Sequence, residues 1–578
     1  MAWYSAECLT HSIPRSCSGE YVGACVVHAA PDTTVKTRMN RRLTIFAYLL
    51  VALSFVTACA ATAESTADES TGLTFIHLND TYRVGAVEDG TRGGFGRVVT
   101  IIRELQAQGR EGHITHGGDF LYPSLESQLW NGLQIVDAMN YLDALAPMVV
   151  TLGNHEFDKR TPDSLVDAVR ASTFDWVSDN VEFRTGEADV DAALRSAFTF
   201  EAAGKTIGVF SVTLHPNDGG TDRDYVPTDP DYRAVTQRSI EALEQAGVDA
   251  IIGITHVHLW TDVELSKLKA GHPRLAFIVG GHEHEPQFSE GSDMQAPVMK
   301  GASNARVIWR IDLEFDEAGL PVVDTDLIEV GIGIEPDADY AALDDKWRSR
   351  LLEKFPFLEA RVGTAALPMD ATEETVRSRE AAWANFIVDQ MPGAFGEPAA
   401  DFAFINSGSL RIDDTVAGDI TFEDIARTFG FSSYLRYVEL TGAEFRQLME
   451  AGFRGDGSSQ GYFPQVSGFR VCVDRSRPSG SRIKSLQVPS GDGWQEIDPA
   501  RMYTLVLPDF LYRGGDGFTL PDGREGSRTG AELKYLVLDA ILRAQAEGRT
   551  VGVPVDPQAP RIELHAGPVA QCFAEYGR

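Results

Sequence analysis

Cysteine and basic residues are what this chain has least of. Six cysteines are spread over 578 residues. No two form a Cys-x-x-Cys pair, which removes thiolate metal clusters and dithiol redox motifs. Lys and Arg number 51 against 84 Asp and Glu, for a net charge of −33. No basic tract interrupts the acidity, so nucleic acid is excluded as a partner, because backbone binding needs clustered Lys and Arg. An acidic surface favours solubility and repels free anions, so any phosphate site must be locally positive. Internal repeats are absent, and low complexity is confined to the Ala/Thr/Ser/Glu-rich stretch Ala60–Ser70. With 43% hydrophobic and 23% charged residues, the composition is that of a folded soluble protein. The length favours two domains.

One apolar run, Leu43–Val56, follows Arg41-Arg42. A short run behind basic residues reads as a signal peptide rather than a spanning helix. Residues 39–58 are expected to be that signal, with Met39 the start and residues 1–38 upstream translation. Val56-Thr57-Ala58-Cys59 resembles a bacterial lipobox, whose Cys is lipidated. Ala61-Thr62-Ala63 would instead suit ordinary cleavage. The expectation is an exported protein, periplasmic or at the cell surface, touching membrane only through a lipid at Cys59 and tethered by residues 60–70. Cys472 and Cys572 then either pair in an oxidising compartment or stay free thiols.

From Leu73 to about Val330, short apolar runs each end in a polar cluster. Leu73–Leu78 leads into Asn79-Asp80, and His113–His116 into Gly117-Gly118-Asp119. Met148–Leu152 leads into Gly153-Asn154-His155-Glu156-Phe157-Asp158, Ala250–Ile254 into Thr255-His256, and Ala276–Val279 into Gly280-Gly281-His282. These read as buried strands, with helices such as Val98–Gln108 and Leu133–Leu145 between them. Layered α/β folds place chemistry at the carboxyl ends of such strands. Carboxylate, imidazole and amide oxygen suit first-row metals, and so many of these groups in turns after buried strands would be costly unpaired. A charged helical stretch, Asp337–Lys354, with Trp347, Leu351 and Leu352 as its apolar stripe, separates this region from a second one.

The order Asp80, Gly-Asp119, Gly-Asn154-His155-Glu156, His256, Gly-His282-x-His284 resembles the calcineurin-like metallophosphoesterases. With the Gly-Gly-Asp-Phe and Gly-Asn-His-Glu-Phe-Asp motifs it is similar to the 5'-nucleotidase family, over about residues 72–556. The resemblance implies an α/β protein. A four-layered α/β/β/α metallophosphoesterase domain would span residues 72–335, a linker helix 337–358, and an α+β nucleotide-binding domain 360–563. It implies two metal ions (manganese, zinc or iron) bridged by Asp119, one held by Asp80 and His284, the other by Asn154, His256 and His282. A bridging hydroxide would attack phosphorus. His155 would stabilise the transition state and protonate the leaving oxygen, and Asp158 would hold its tautomer unless it serves only as a helix N-terminal acid. Two departures stand out. The family's Asp-x-His is Asp80-Thr81-Tyr82 here, and a final Gln is His284. Gly118-Asp119-Phe120-Leu121-Tyr122 also matches the Gly-Asp-x-x-Tyr pattern of purple acid phosphatases. Tyr122, or else Tyr82, is therefore a candidate ligand to an iron ion, the alternative being that Tyr122 only packs nearby.

On the substrate side, Arg377 and Arg411 suit phosphate, Phe429 and Phe510 suit stacking, and Asn406 and Asp516 suit polar contacts to the nucleoside. Their contexts resemble the C-terminal domain of the same family, although its Asn-Gly-Gly-Gly-Ile-Arg loop is Asn406-Ser-Gly-Ser-Leu-Arg411 here. The reading is a nucleoside 5'-phosphate hydrolase, possible further substrates being nucleotide di- and triphosphates or UDP-sugars. The alternatives are a 2',3'-cyclic nucleotide phosphodiesterase, a thiosulfohydrolase of the same fold, or a catalytically inactive nucleotide-binding lipoprotein.

Overall fold

The computed structural model describes residues 72–216, 219–455, 460–491, 493–521 and 527–573. The expected signal peptide, Cys59 and tether lie outside these residues. Among the described residues, no helix is long and apolar enough to cross a membrane.

Two sheets face each other in the first half. One has the strand order Pro321–Glu329, Val307–Phe315, Leu73–Leu78, Glu111–His116, Met148–Thr151, Asp175–Val177, Leu194–Arg195. The other runs Gln287–Ser289, Val298–Lys300, Leu275–Gly280, Ala250–His256, Lys205–Thr213, Phe198–Ala202. Phe75, Val149, Val209, Ile252, Phe277 and Ile311 fill the space between them. Helices cover both outer faces. Val98, Ile102, Met139 and Leu165 pack on one side, Val235, Ile240 and Leu265 on the other. Covering each strand on both faces explains why Leu73–Leu78 and Ala250–His256 are buried throughout rather than alternating. The layers are those expected, α/β/β/α.

The helix Phe95–Ala107 begins three residues before the expected Val98, because Phe95 is a buried residue one turn below Val98 and Val99. The second helix spans Leu133–Asp143, ending two residues before the expected Leu145. The linker helix spans Ala341–Lys354 and buries Trp347 and Leu351. It joins the two halves. The Trp347 indole donates to Asp137 at 3.0 Å, while Arg348 pairs with Glu423 at 2.6 Å.

The second half is built on a five-stranded sheet, Pro464–Ser467, Phe402–Asn406, Met502–Pro508, Tyr434–Thr441, Ser527–Glu532. Side chains alternate across it. Ala403, Ile405 and Val506 join one hydrophobic cluster, whereas Phe402, Phe404 and Leu505 join another on the opposite face. A four-stranded sheet, Gly493–Glu496, Ile483–Ser490, Arg470–Asp474, Ile562–His565, carries Cys472, which is disulfide-bonded to Cys572. Of the two states open in the sequence, the thiols are paired, closing a loop of 100 residues. The chain-entropy account puts the ceiling for such a loop at about 4.7 kcal/mol, and disulfides typically contribute about 2–4 kcal/mol. Cys472→Ser is expected to lower unfolding stability by that amount in denaturant titrations. Unchanged stability under non-reducing conditions would show the bond to be dispensable.

Candidate metal centre

Strand direction brings the polar loops together. Leu73–Leu78, Glu111–His116 and Met148–Thr151 run parallel in one sheet, and Lys205–Thr213, Ala250–His256 and Leu275–Gly280 in the other. The carboxyl ends that carry Asp80, Asp119, Asn154, His256 and the His282–His284 turn therefore meet along one edge. Close approach of the loops needs glycine. A Cβ on Gly153 would fall on the Asp119 carboxylate, and one on Gly281 would sit 2.7 Å from Asp80 Oδ2. Asp80, Asp119, His282 and His284 all hold positive φ, between 52° and 92°. Such conformations cost energy outside glycine and persist where the surroundings over-determine them.

Two clusters share Asp119. In the first, ligand atoms of Asp80, Asp119 and His284 lie within 4.8 Å of one another, with His284 Nε2 3.3 Å from Asp80 Oδ1. In the second, His256 Nε2 is 3.3 Å from Asp119 Oδ2, and the His282 ring stands 5.4 Å from the His256 ring. Among the described residues, buried Asn154 Oδ1 has no hydrogen-bond partner, and buried His256 Nε2 has none beyond its contact with Asp119. Orphaned polar atoms beside two carboxylates exposed by 0 and 1% are what a cation site leaves when described by protein atoms alone. The donor set of carboxylate, imidazole and amide oxygen fits divalent or trivalent first-row ions.

The electrostatics agree. Burial alone would raise the Asp80 carboxyl, but the charge and hydrogen bond of His284 hold it well below its ordinary range. Burial disfavours the His256 cation, yet Asp119 and Asp80 outweigh it and raise the imidazole to about 9. His282 is pushed well down by burial and by His258 and His256, leaving a neutral ring suited to ligation. His256 Nδ1 is paired with Gly117 O at 2.6 Å, which fixes the proton there and turns Nε2 toward Asp119.

Of the two candidate tyrosines, Tyr82 is the one at the cluster. Its hydroxyl lies 3.2 Å from Asp80 Oδ1, 3.2 Å from Asp119 Oδ2 and 3.0 Å from His284 Nε2. The Tyr122 hydroxyl instead donates to Asn131 at 3.2 Å, with the Lys159 ammonium over its ring. The expectation that favoured Tyr122 over Tyr82 is thus corrected. The chain turns at Pro123 and spends the Tyr122 hydroxyl on the Asn131 side chain.

His155 Nδ1 is 2.8 Å from Asp158 Oδ2. Burial lowers the His155 pKa, but Asp158 and Asp119 raise it further, for a net upward shift. Arg411 reaches across from the second half, with Nη2 3.5 Å from His155 Nε2. Arg377 is buried and pairs with Glu373. Asn406 Nδ2 donates to Asp516 Oδ2 at 2.8 Å, so these two polar residues form one unit. The two expected stacking rings differ in exposure. Phe510 is 44% exposed, whereas Phe429 is 3% exposed and belongs to a hydrophobic cluster with Leu410, Val416 and Ile425. Packing against these aliphatic residues leaves the Phe429 ring no open face in this arrangement.

Residues 73–286 match the calcineurin-like phosphoesterase model, and residues 361–522 match the 5'-nucleotidase C-terminal domain. The chain carries a calcineurin-like phosphoesterase domain followed by a 5'-nucleotidase C-terminal domain. With those domains and its likeness to 5'-nucleotidases, it is a metal-dependent phosphohydrolase. The 5'-nucleotidase of Bos taurus is 24% identical over 500 residues, covering 78% of this chain and 84% of that protein. The trifunctional nucleotide phosphoesterase protein YfkN of Bacillus subtilis is 26% identical over 491 residues, covering 78% of this chain. The match takes in 32% of that relative, so the chain spans about a third of its length. The structure of a 5'-nucleotidase precursor from Thermus thermophilus superposes with a TM-score of 0.73 at 23% identity, covering 86% of this chain and all of that one. The sulfate thiohydrolase SoxB of the same organism gives 0.66 at 15% identity, covering 87% of this chain and 97% of its own. At these identities the structural likeness shows the shared fold alone.

Two carboxylates at the centre escaped the sequence reading. Glu156 accepts the main-chain N–H groups of Asp119 at 2.9 Å, Phe120 at 2.8 Å and Gly153 at 2.5 Å, so it clamps two ligand loops together. Its place inside Gly-Asn-His-Glu was a usable signal. Glu373, from the second half, is 2.8 Å from His284 Nδ1 and stands among acidic residues with nothing local to mark it.

Below about 9, His256 carries a proton that a metal ion must displace. Metal affinity is therefore expected to rise by about tenfold per pH unit between about pH 6 and about pH 8, with release of about one proton. Calorimetry in buffers of different ionisation enthalpy reads both quantities. Affinity independent of pH over that range would contradict the assignment of His256.

Proposed function

We propose that this chain hydrolyses nucleoside 5'-monophosphates to nucleoside and inorganic phosphate. The observation that carries the reading is the pairing of two ligand clusters around one shared carboxylate, Asp119, with a guanidinium from the other half 3.5 Å from His155. Asp80, Asp119 and His284 would hold one ion, and Asp119, Asn154, His256 and His282 the other. When bound, the ions supply Lewis-acid polarisation of the phosphoryl group and activation of water.

The chain's own side chains do the rest. Arg411 and Arg377 present positive charge to the phosphoryl oxygens, on an otherwise acidic protein that would repel them. Water supplies the incoming oxygen, the P–O5' bond breaks, and the departing oxygen takes a proton from His155 Nε2. Asp158 holds Nδ1 and supports the charged form of the ring. Phe510 offers an exposed ring to the base, and the Asn406–Asp516 unit offers polar contacts to the sugar. The nucleotide would lie between the two halves, where ligand sites commonly form.

The Bacillus subtilis relative is named a trifunctional nucleotide phosphoesterase, so more than one phosphoester is in view, and cleavage of 2',3'-cyclic nucleotides by the same centre is the second reading. Export is proposed from the signal-like N-terminus, and the Cys472–Cys572 bond supports it, since such bonds persist in oxidising compartments.

Phosphate release from 5'-AMP, 3'-AMP, 2',3'-cyclic AMP and UDP-glucose, each with manganese, zinc or iron, separates these readings. Preference for 5'-AMP is expected; preference for the cyclic ester would shift the reading to the phosphodiesterase. His155→Ala should lower kcat by about 10²–10⁴-fold with little change in nucleotide affinity. Nucleotide binding without any turnover in the unaltered chain would mark a binding protein instead. Asp516→Ala should raise KM by about 10–150-fold while leaving kcat largely intact, since a lost hydrogen bond to a charged group costs about 1.5–3 kcal/mol.

A further inference from the structure

The two imidazoles that face Asp119 and Asp80 are oriented from different places. His256 Nδ1 is held by Gly117 O, a main-chain group of its own half. His284 Nδ1 is held by the Glu373 carboxylate, 2.8 Å away and contributed by the other half of the chain. A carboxylate only accepts, so the contact keeps a proton on Nδ1 and turns Nε2 toward Asp80 and the Tyr82 hydroxyl.

Glu373 is itself tightly held. It is 5% exposed and begins the helix Glu373–Ser378. Its second oxygen accepts the Ser303 hydroxyl, and its first also pairs with Arg377. Arg306 lies 3.6 Å away and Arg411 4.0 Å. The Glu373 main-chain N–H donates to Asp413 at 2.8 Å, and Asp413 in turn accepts from Asn304 at 3.1 Å. The carboxylate is thus fixed from both halves, with its charge balanced by guanidinium groups.

We propose that Glu373 is a positioning residue that sets the affinity of the Asp80–Asp119–His284 site, so that occupancy of that site is coupled to docking of the second half. The inference rests on the reading of this cluster as a metal site. If the halves separate, His284 loses its carboxylate partner at Nδ1 and the ring is free to turn. By linkage, the coupling runs both ways: an ion at this site stabilises the docked arrangement as much as docking tightens the ion. The His256 site, oriented within its own half, is not coupled in this way. The two sites therefore differ in how their occupancy responds to domain position.

The test is manganese titration of the metal-stripped full chain by isothermal calorimetry, with no nucleotide present. Glu373→Gln removes the charge. Glu373→Asp keeps it but draws the carboxylate back from Nδ1, and it carries the test if the Gln variant does not fold. Glu126→Gln is the control, because Glu126 pairs with Arg427 across the halves at 2.8 Å without touching His284. Both Glu373 variants are expected to weaken one of two sites by about 10–100-fold, as loss of a partner to a ligating histidine does. The control should leave both sites within about threefold of the original, because the Gln amide oxygen still accepts from Arg427 and the His284 partner is untouched. Two unaltered sites in the Glu373 variants would overturn the proposal. So would equal weakening of both sites, matched by Glu126→Gln, which would mean general loosening. A Glu373-dependent site in a chain that releases no phosphate from any nucleotide would support this inference while contradicting the proposed hydrolase.

Discussion

Burial of two carboxylates beside each other is the constraint on which the rest of this molecule depends. Asp80 and Asp119 are exposed by 0 and 1%, and among the described residues their ion-pair partners are histidines rather than Lys or Arg. Such charges are costly in a low-dielectric interior unless something positive answers them. Histidines do so in part, which is why His256 is raised to about 9 while Asp80 is held low. Metal ions answer them more completely, and the donor atoms already face one another. The scaffold is arranged to hold this unfavourable cluster in place. Parallel strands in both sheets deliver the loops to one edge, glycines let them touch, and Glu156 locks the Asp119 loop to the Gly153 loop.

The second half completes the site. Arg411 and Glu373 bring opposite charges to its two sides, one beside His155 and one on His284. Arg427 with Glu126 and Arg83 with Asp414 fasten the same interface at 2.8 Å. The candidate metal ligands and the proposed substrate-side residues therefore lie on different parts of the chain. The fold itself is shared with a sulfate thiohydrolase, so it does not by itself fix the substrate.

Much of the first half was legible because its signals are local. Buried strands read as apolar runs closed by Gly or Asn, and the strands ending at Leu78, His116, Thr151, His256 and Gly280 all deliver their turns to the centre. The linker helix and its Trp347–Leu351 stripe were legible for the same reason. What spacing could not convey was side-chain direction across long sequence separations. Tyr122 matched a motif, but its hydroxyl turns to Asn131, while Tyr82 lies at the cluster. Phe429 carried the right neighbours in sequence, yet aliphatic residues enclose it. Glu373 lies 89 residues from the histidine it orients, and on an acidic chain one more Glu carries no signal.

The most direct measurement is anomalous diffraction at the metal edge from crystals of the full chain loaded with manganese. Two peaks are predicted, on either side of the Asp119 carboxylate, one bounded by Asp80 and His284 and the other by Asn154, His256 and His282. A single peak, or peaks only away from Asp119, would contradict the shared-carboxylate centre and the two-metal hydrolysis built upon it.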